Sequence, residues 1–283
     1  MASEYQLNSG ELERIERFMN SYWKTHEFLF ETTRKYNNFL RRKYGREIVN
    51  EFHRIARLVS RGNKKAYHEL NDFVFRTGLC DDVPKISLRG RETLKSLLAY
   101  LAQENKSFTL ADFGSGDGKI AIGLTSYLDA LERLYAIDIT PFAFERMEIN
   151  IQNLAQEEQE KVRRKIVSLQ GDYTSEELQD RLLHHEPNGV DIALAAYPRH
   201  LETILPILSR LTKPDGKIIT CYPQDMGNMM YTPFLESDIN DNLTMIEERQ
   251  NEIGKEYGLR FGLNHVWYLP WEMIIVSVGE RVR

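Results

Sequence analysis

The sequence predicts a doubly wound α/β domain preceded by an all-helical segment. Three observations carry this reading. Strand-like and helix-like runs alternate from about residue 87 onward. The apolar residues between Ser9 and Phe75 recur only at helical spacing. A strand-like run ending at Phe113 breaks into Gly114, Gly116 and Gly118 and then resumes as a helix.

In the helical segment, Leu12, Ile15, Phe18, Met19 and Tyr22 mark one face, and Phe28 and Leu29 begin another. Three or four helices are expected, with Ser9 as an N-cap and breaks at Gly45 and Gly62. Ser9 is followed three residues later by Leu12, so it lacks the Glu of a capping box. Turn formers from Thr77 to Lys85 place a boundary near Pro84, giving a helical cap over 1–86 and an α/β domain over 87–283. Helices are expected at 91–103, 119–131, 141–160 and 199–211. Strands are expected at 108–113, 133–139, 165–170, 190–196, 217–221, 259–266 and 273–278.

The 283 residues, 42% of them hydrophobic, suffice for a substantial core. No apolar run approaches the roughly 18 needed to span a bilayer. The start Met-Ala-Ser-Glu-Tyr-Gln lacks the order of a signal peptide, so a soluble cytoplasmic protein without a membrane partner is expected. Cys80 and Cys221 lie far apart and read as buried thiols, with no metal site. Residues 1–90 carry 17 Lys/Arg against 12 Asp/Glu, leaving 20 against 30 for the rest. That balance weighs against nucleic acid as a partner. A homodimer is among the states the sequence allows.

A glycine turn between strand and helix lets a ligand approach the backbone and presents the free N–H groups of the helix start. A dinucleotide turn would carry its third glycine where this chain has Lys119. Asp112 at the strand end adds a negative charge that repels pyrophosphate and suits a cation. Asp138, about 20 residues beyond the turn, is placed to accept the hydroxyls of a ribose. Gly171-Asp172-Tyr173 closes the next strand.

With Asp112-Phe-Gly-Ser-Gly-Asp-Gly118, Asp138, Gly171-Asp172, Asp191-Ile-Ala-Leu-Ala-Ala-Tyr-Pro198 and Lys213-Pro-Asp-Gly-Lys-Ile-Ile219 in order, residues 90–283 resemble the class I methyltransferases that use S-adenosylmethionine (SAM). The resemblance implies a mostly parallel seven-stranded sheet with its last strand, 273–278, antiparallel, and an N-terminal helical segment over the site. It also implies that the Gly114–Gly118 loop, with Asp112 and Ser115, holds the methionine part of SAM. Asp138 and Ile139 would hold the ribose side, Asp172 the adenine amino group, and Tyr173 would lie beside the ring.

Methyl transfer is a direct displacement, so the acceptor must lie at the carboxyl ends of strands near the glycine loop. Tyr197 and His200 follow the fourth strand there, and His200 or His265 is available as a general base. Ala196-Tyr-Pro-Arg199 departs from the Asn/Asp-Pro-Pro-aromatic sequence of many nucleobase and protein amino methyltransferases, which points to a small-molecule acceptor methylated at oxygen, nitrogen or carbon. Aminocarboxypropyl transfer, as in nicotianamine synthase-like enzymes, and methylation of protein or RNA are the alternatives. Tyr222–Phe234 reads as an active-site wall, Tyr22 and Trp23 as core, Arg41-Arg42-Lys43 with Arg46 as a solvated helix face, and His184-His185 as a loop.

Overall fold

The computed structural model describes residues 9–23, 33–61, 63–82, 84–196, 201–225, 247–269 and 272–281. Four helices come first: α1 (Ser9–Tyr22), α2 (Thr33–Tyr44), α3 (Arg46–Ser60) and α4 (Lys64–Thr77). The helix α5 (Pro84–Leu101) leads into β1 (Phe108–Phe113), α6 (Lys119–Tyr127), β2 (Leu131–Asp138), α7 (Pro141–Gln152), α8 (Gln156–Lys165) and β3 (Ile166–Gln170). Then follow α9 (Glu176–His185), β4 (Val190–Ala196), α10 (Leu201–Leu211), β5 (Thr212–Asp225), a helix over 247–254, β6 (Leu259–Leu269) and β7 (Glu272–Arg281). Among the described residues no helix is long and apolar enough to cross a membrane.

All seven strands join one sheet in the order β3-β2-β1-β4-β5-β7-β6. The first five are parallel, and β7 runs antiparallel to both β5 and β6, as the resemblance implies. The chain winds outward from β1 to β3 and then from β4 the other way. The switch point, where such sheets bind ligands, therefore lies at the carboxyl ends of β1 and β4. Every residue of β1 is buried, as a central parallel strand requires. Leu110 faces a core made with α1, α5 and α6, whereas Ala111 and Phe113 face one made with α9 and α10.

Several boundaries differ from expectation for identifiable reasons. The expected helix 141–160 is two, because the Gln159 amide bonds the carbonyls of Gln152 and Leu154 and turns the chain between α7 and α8. His184 and His185 close α9 instead of lying in a loop; Ser175 caps that helix by accepting from Leu178 N–H, with Glu176 and Glu177 in its first turn. Ser9 is the first residue of α1 and not its flanking cap. β5 extends to Asp225, taking up Tyr222–Asp225 of the expected wall; residues 226–234 of that wall lie outside the described residues. The boundary near Pro84 falls at the start of α5, so the expected division at 86/87 lies inside a single helix.

The helices before α5 divide between two cores. Ile15, Met19 and Trp23 share the core of α5, β1 and α6. Trp23 lies so close to Gly90 that a Cβ there would sit 2.8 Å from the indole, and Tyr22 Oη donates to Lys119 O at 2.7 Å. In contrast, α2, α3 and α4 enclose their own cluster of Leu40, Val49, Ile55, Phe73, Val74 and Leu79. Because Met19 packs with the sheet's core, Met19→Ala should cost about 2–5 kcal/mol and lower the urea midpoint of the same transition that Leu94→Ala lowers. A variant that instead splits off a second transition, with fluorescence and circular dichroism no longer coincident, would assign α1 to a separately folding unit.

Candidate cofactor site

The site is built where β1 and β2 end. Asp112 is paired in register with Ala136, so Asp138, two residues on, projects from the same sheet face as Asp112. Asp138 is 9% exposed and Asp112 1%. Asp138 Oδ2 accepts from Gly116 N–H at 2.9 Å, Oδ1 accepts from Thr140 N–H at 3.0 Å, and its backbone carbonyl accepts from Gly171 N–H at 2.9 Å. One residue thus anchors three loops.

The glycine loop uses four of its N–H groups internally. Gly114 and Ser115 both donate to Ile137 O at 2.8 and 2.9 Å, Gly116 to Asp138, and Gly118 to Ser115 O at 3.1 Å. Gly114, Gly116 and Gly118 have φ of 86°, 56° and 73°, the left-handed conformation that this tight path demands. A Cβ on Gly114 would meet nothing within 4 Å, so space opens there. On Gly118 it would strike Met147 Cγ at 2.4 Å, so the third glycine serves packing against α7.

The polar groups left over are Asp112 Oδ2, Ser115 Oγ and Thr140 Oγ1, all buried and without a hydrogen-bond partner. Buried orphans of this kind are costly and mark a place for a polar ligand. Burial, and then the charge of Asp138, pushes the Asp112 carboxyl up to about 7. Burial also raises Asp138, against hydrogen bonds from Thr140 and Gly116 that favour its charge.

Around this centre, Ile139 is an exposed large apolar side chain, 48% accessible, directly after Asp138. Asp172 Oδ1 accepts from Thr174 N–H and Oγ1 at 2.8 and 2.7 Å, and Tyr173 packs edge-on against Phe113 at 6.2 Å. The α4 helix closes one side: Phe75 Cζ lies 3.3 Å from where a Gly116 Cβ would be. Asp81 ties the chain after α4 to the site, pairing with Lys119 at 2.7 Å and with Arg146. Burial alone would lower Lys119, but Asp117 and Asp81 outweigh it and hold the ammonium above its usual range. Cys80, Asp81 and Asp117 lie within ligand reach of one another, yet these cations already engage the two carboxylates. Cys80 and Cys221 are both buried free thiols.

Tyr197 and His200 lie outside the described residues, and His265 sits on β6 opposite Val276, beside a register shift. Sequence reasoning missed Thr140, Phe75, Asp81 and Arg146. Only Thr140, just before Pro141, carried a local signal, that of a helix start.

No protein-family model matches the chain, and no curated protein is similar to it in sequence. Solved structures are similar in fold. The methyltransferase domain of bacterial CtHen1-C is 16% identical, aligns over 69% of this chain and 100% of its own, and has a TM-score of 0.51. The fold is that of a methyltransferase domain. TYW2 of M. jannaschii in complex with AdoMet (19% identity, 71% of this chain and 81% of that one, TM-score 0.46) is a more distant match. So is a precorrin-6y C5,15-methyltransferase of Geobacter metallireducens (14%, 69% and 89%, 0.43). In this fold, the glycine loop and Asp138 lie at the carboxyl ends of β1 and β2.

Asp112 links the site to pH. Its carboxyl is raised in the folded chain, so its contribution to stability is complete below the unfolded value and is lost as pH rises through about 7. Asp112→Asn should therefore gain stability relative to the natural chain as pH goes from about 4 to 7, with no further gain above about 8. Urea unfolding at a series of pH values checks this; a difference that stays flat across the range would mean that Asp112 remains ionised throughout.

Proposed function

We propose that this protein binds SAM at the glycine loop and transfers its methyl group to an acceptor. The observation that carries the reading is the character of the unsatisfied groups. The N–H groups of Gly114, Ser115, Gly116 and Gly118 are used internally, and among the buried groups without a partner here are a carboxylate oxygen and two hydroxyls, backed by a second buried carboxylate. Such a lining disfavours a pyrophosphate and favours a ligand that brings positive charge and hydroxyl donors.

When bound, SAM supplies an electrophilic methyl on a sulfonium together with an ammonium. The residues present fit it. An ionised carboxylate offers about four lone-pair sites, and Asp138 uses two on backbone N–H groups, leaving two for a ribose diol. Asp112 favours the cationic end, Ile139 offers an apolar surface to a flat ring, and Asp172 keeps one carboxylate oxygen outside its turn. Phe75 excludes water from one side. On the acceptor side, the small-molecule reading with Tyr197, His200 and His265 draws no support from the described residues, and the surface charge of α2 and α3 favours another class.

Calorimetry with S-adenosylhomocysteine tests the cofactor reading. Asp138→Ala removes charged acceptors worth about 3 kcal/mol, so affinity should fall about 100-fold. Unchanged affinity would place the cofactor elsewhere. With labelled SAM and a competent acceptor, S-adenosylhomocysteine as product means methyl transfer; methylthioadenosine would overturn it in favour of aminocarboxypropyl transfer.

A further inference from the structure

Residues 33–61 carry nine Lys/Arg against two Asp/Glu, a net charge of +7 within a chain whose total is −5. This charge lies on α2 and α3, which fold back on each other through Gly45. Glu51 and Glu69 neutralise Arg54, and Asp82 neutralises Lys43. Arg41, Arg42 and Arg46 are exposed and have no carboxylate partner among the described residues.

Between the two helices lies a cleft of about 540 Å³ whose lining among the described residues is Arg41, Asn50, His53, Ala56 and Arg57. His53, which lines the cleft, has its Nε2 3.1 Å from Asn37 Oδ1. Arg41 and Arg57 each follow one of these residues by one helical turn and so flank the cleft. Burial, then the charges of Arg41 and Arg57, holds the His53 imidazole below its usual range, so a neutral ring sits between two guanidinium side chains of the cleft. The exposed large apolar side chains among the described residues are Ile139 and Ile149, neither on this face, so it has no anchor for a bilayer.

A concave, cationic cleft of nucleotide size suits a single strand, whereas a duplex groove is entered by a protruding element. Arginines hold phosphates, and a neutral imidazole beside an amide can bond base edges or a 2′-hydroxyl. The face is joined to the site through packed helices, since α3 packs on α4 and α4 places Phe75 over Gly116. We propose that the α2–α3 face binds single-stranded RNA through Arg41 and Arg57, with Arg42 and Arg46 adding phosphate contacts. The inference deepens the methyl-transfer reading by naming a substrate class. It rests on that reading for the chemistry alone, since RNA binding is measured without cofactor.

The test is a fluorescence-anisotropy titration of the full chain against a short labelled single-stranded RNA of mixed sequence. Affinity should fall steeply between about 50 and 200 mM salt. Arg41→Glu with Arg57→Glu should weaken binding at least about tenfold and reduce the slope of log affinity against log salt by about 1.4, roughly 0.7 per lost phosphate contact. The milder Arg41→Gln with Arg57→Gln should fall between, guarding against misfolding. Arg164→Glu with Arg181→Glu, the same charge change on α8 and α9, should stay within about twofold. Three results overturn the proposal: no binding at low salt, equal losses in both charge-reversal pairs, or binding to phosphatidylserine vesicles through Arg41 and Arg57 without binding to RNA. Loss of S-adenosylhomocysteine binding alone, with RNA binding intact, would sink the methyl-transfer reading and leave this one standing.

Discussion

Asp138 accepts the N–H groups of Gly116 and Thr140 through its two carboxylate oxygens, and its own carbonyl receives Gly171 N–H. The loops after β1, β2 and β3 therefore hang from a single residue at the end of β2. Their shape follows from this arrangement. The glycine loop must turn tightly enough to bring Gly116 N–H onto the carboxylate, which requires the left-handed backbone at three alternating positions. The carboxylate that organises this end of the sheet is also the one that the proposed SAM binding would use.

Burying Asp112 on the same sheet face has an electrostatic cost. Burial, and then the charge of Asp138, raises Asp112, whose buried Oδ2 has no hydrogen-bond partner, whereas backbone N–H groups favour the charge of Asp138. A cationic ligand relieves this repulsion, so the site stores a preference for positive charge before anything binds. The N–H groups of Gly114, Ser115 and Gly116, consumed by Ile137 and Asp138, offer no competing preference for an anion.

The helices before α5 serve the sheet in two ways. α1 belongs to its core, through Met19 and Trp23. α2 to α4 form a small unit of their own that reaches the site at Phe75 and is fastened by Asp81 to Lys119 and Arg146. This division concentrates positive charge on an outer face beside an acidic site. A net charge averaged over the whole chain conceals that separation.

By itself the sequence determined what local pattern determines. The period of apolar residues and the three alternating glycines were enough for the alternation of strands and helices, for β1 and β4 to the residue, and for the positions of Asp112 and Asp138 at strand ends. Local pattern failed where a distant or side-chain contact intervenes. Ile-Gln-Asn-Leu-Ala-Gln gives no sign of a break between α7 and α8, because the break is made by the Gln159 amide on carbonyls before it. Phe75, Asp81 and Arg146 carry no motif, since their role exists only once α4 and α7 meet the glycine loop. The inward use of the loop's N–H groups was also decided by tertiary structure. Whether an N–H faces a ligand or Ile137 depends on how closely β2 lies beside the turn, and spacing along one chain does not contain that distance.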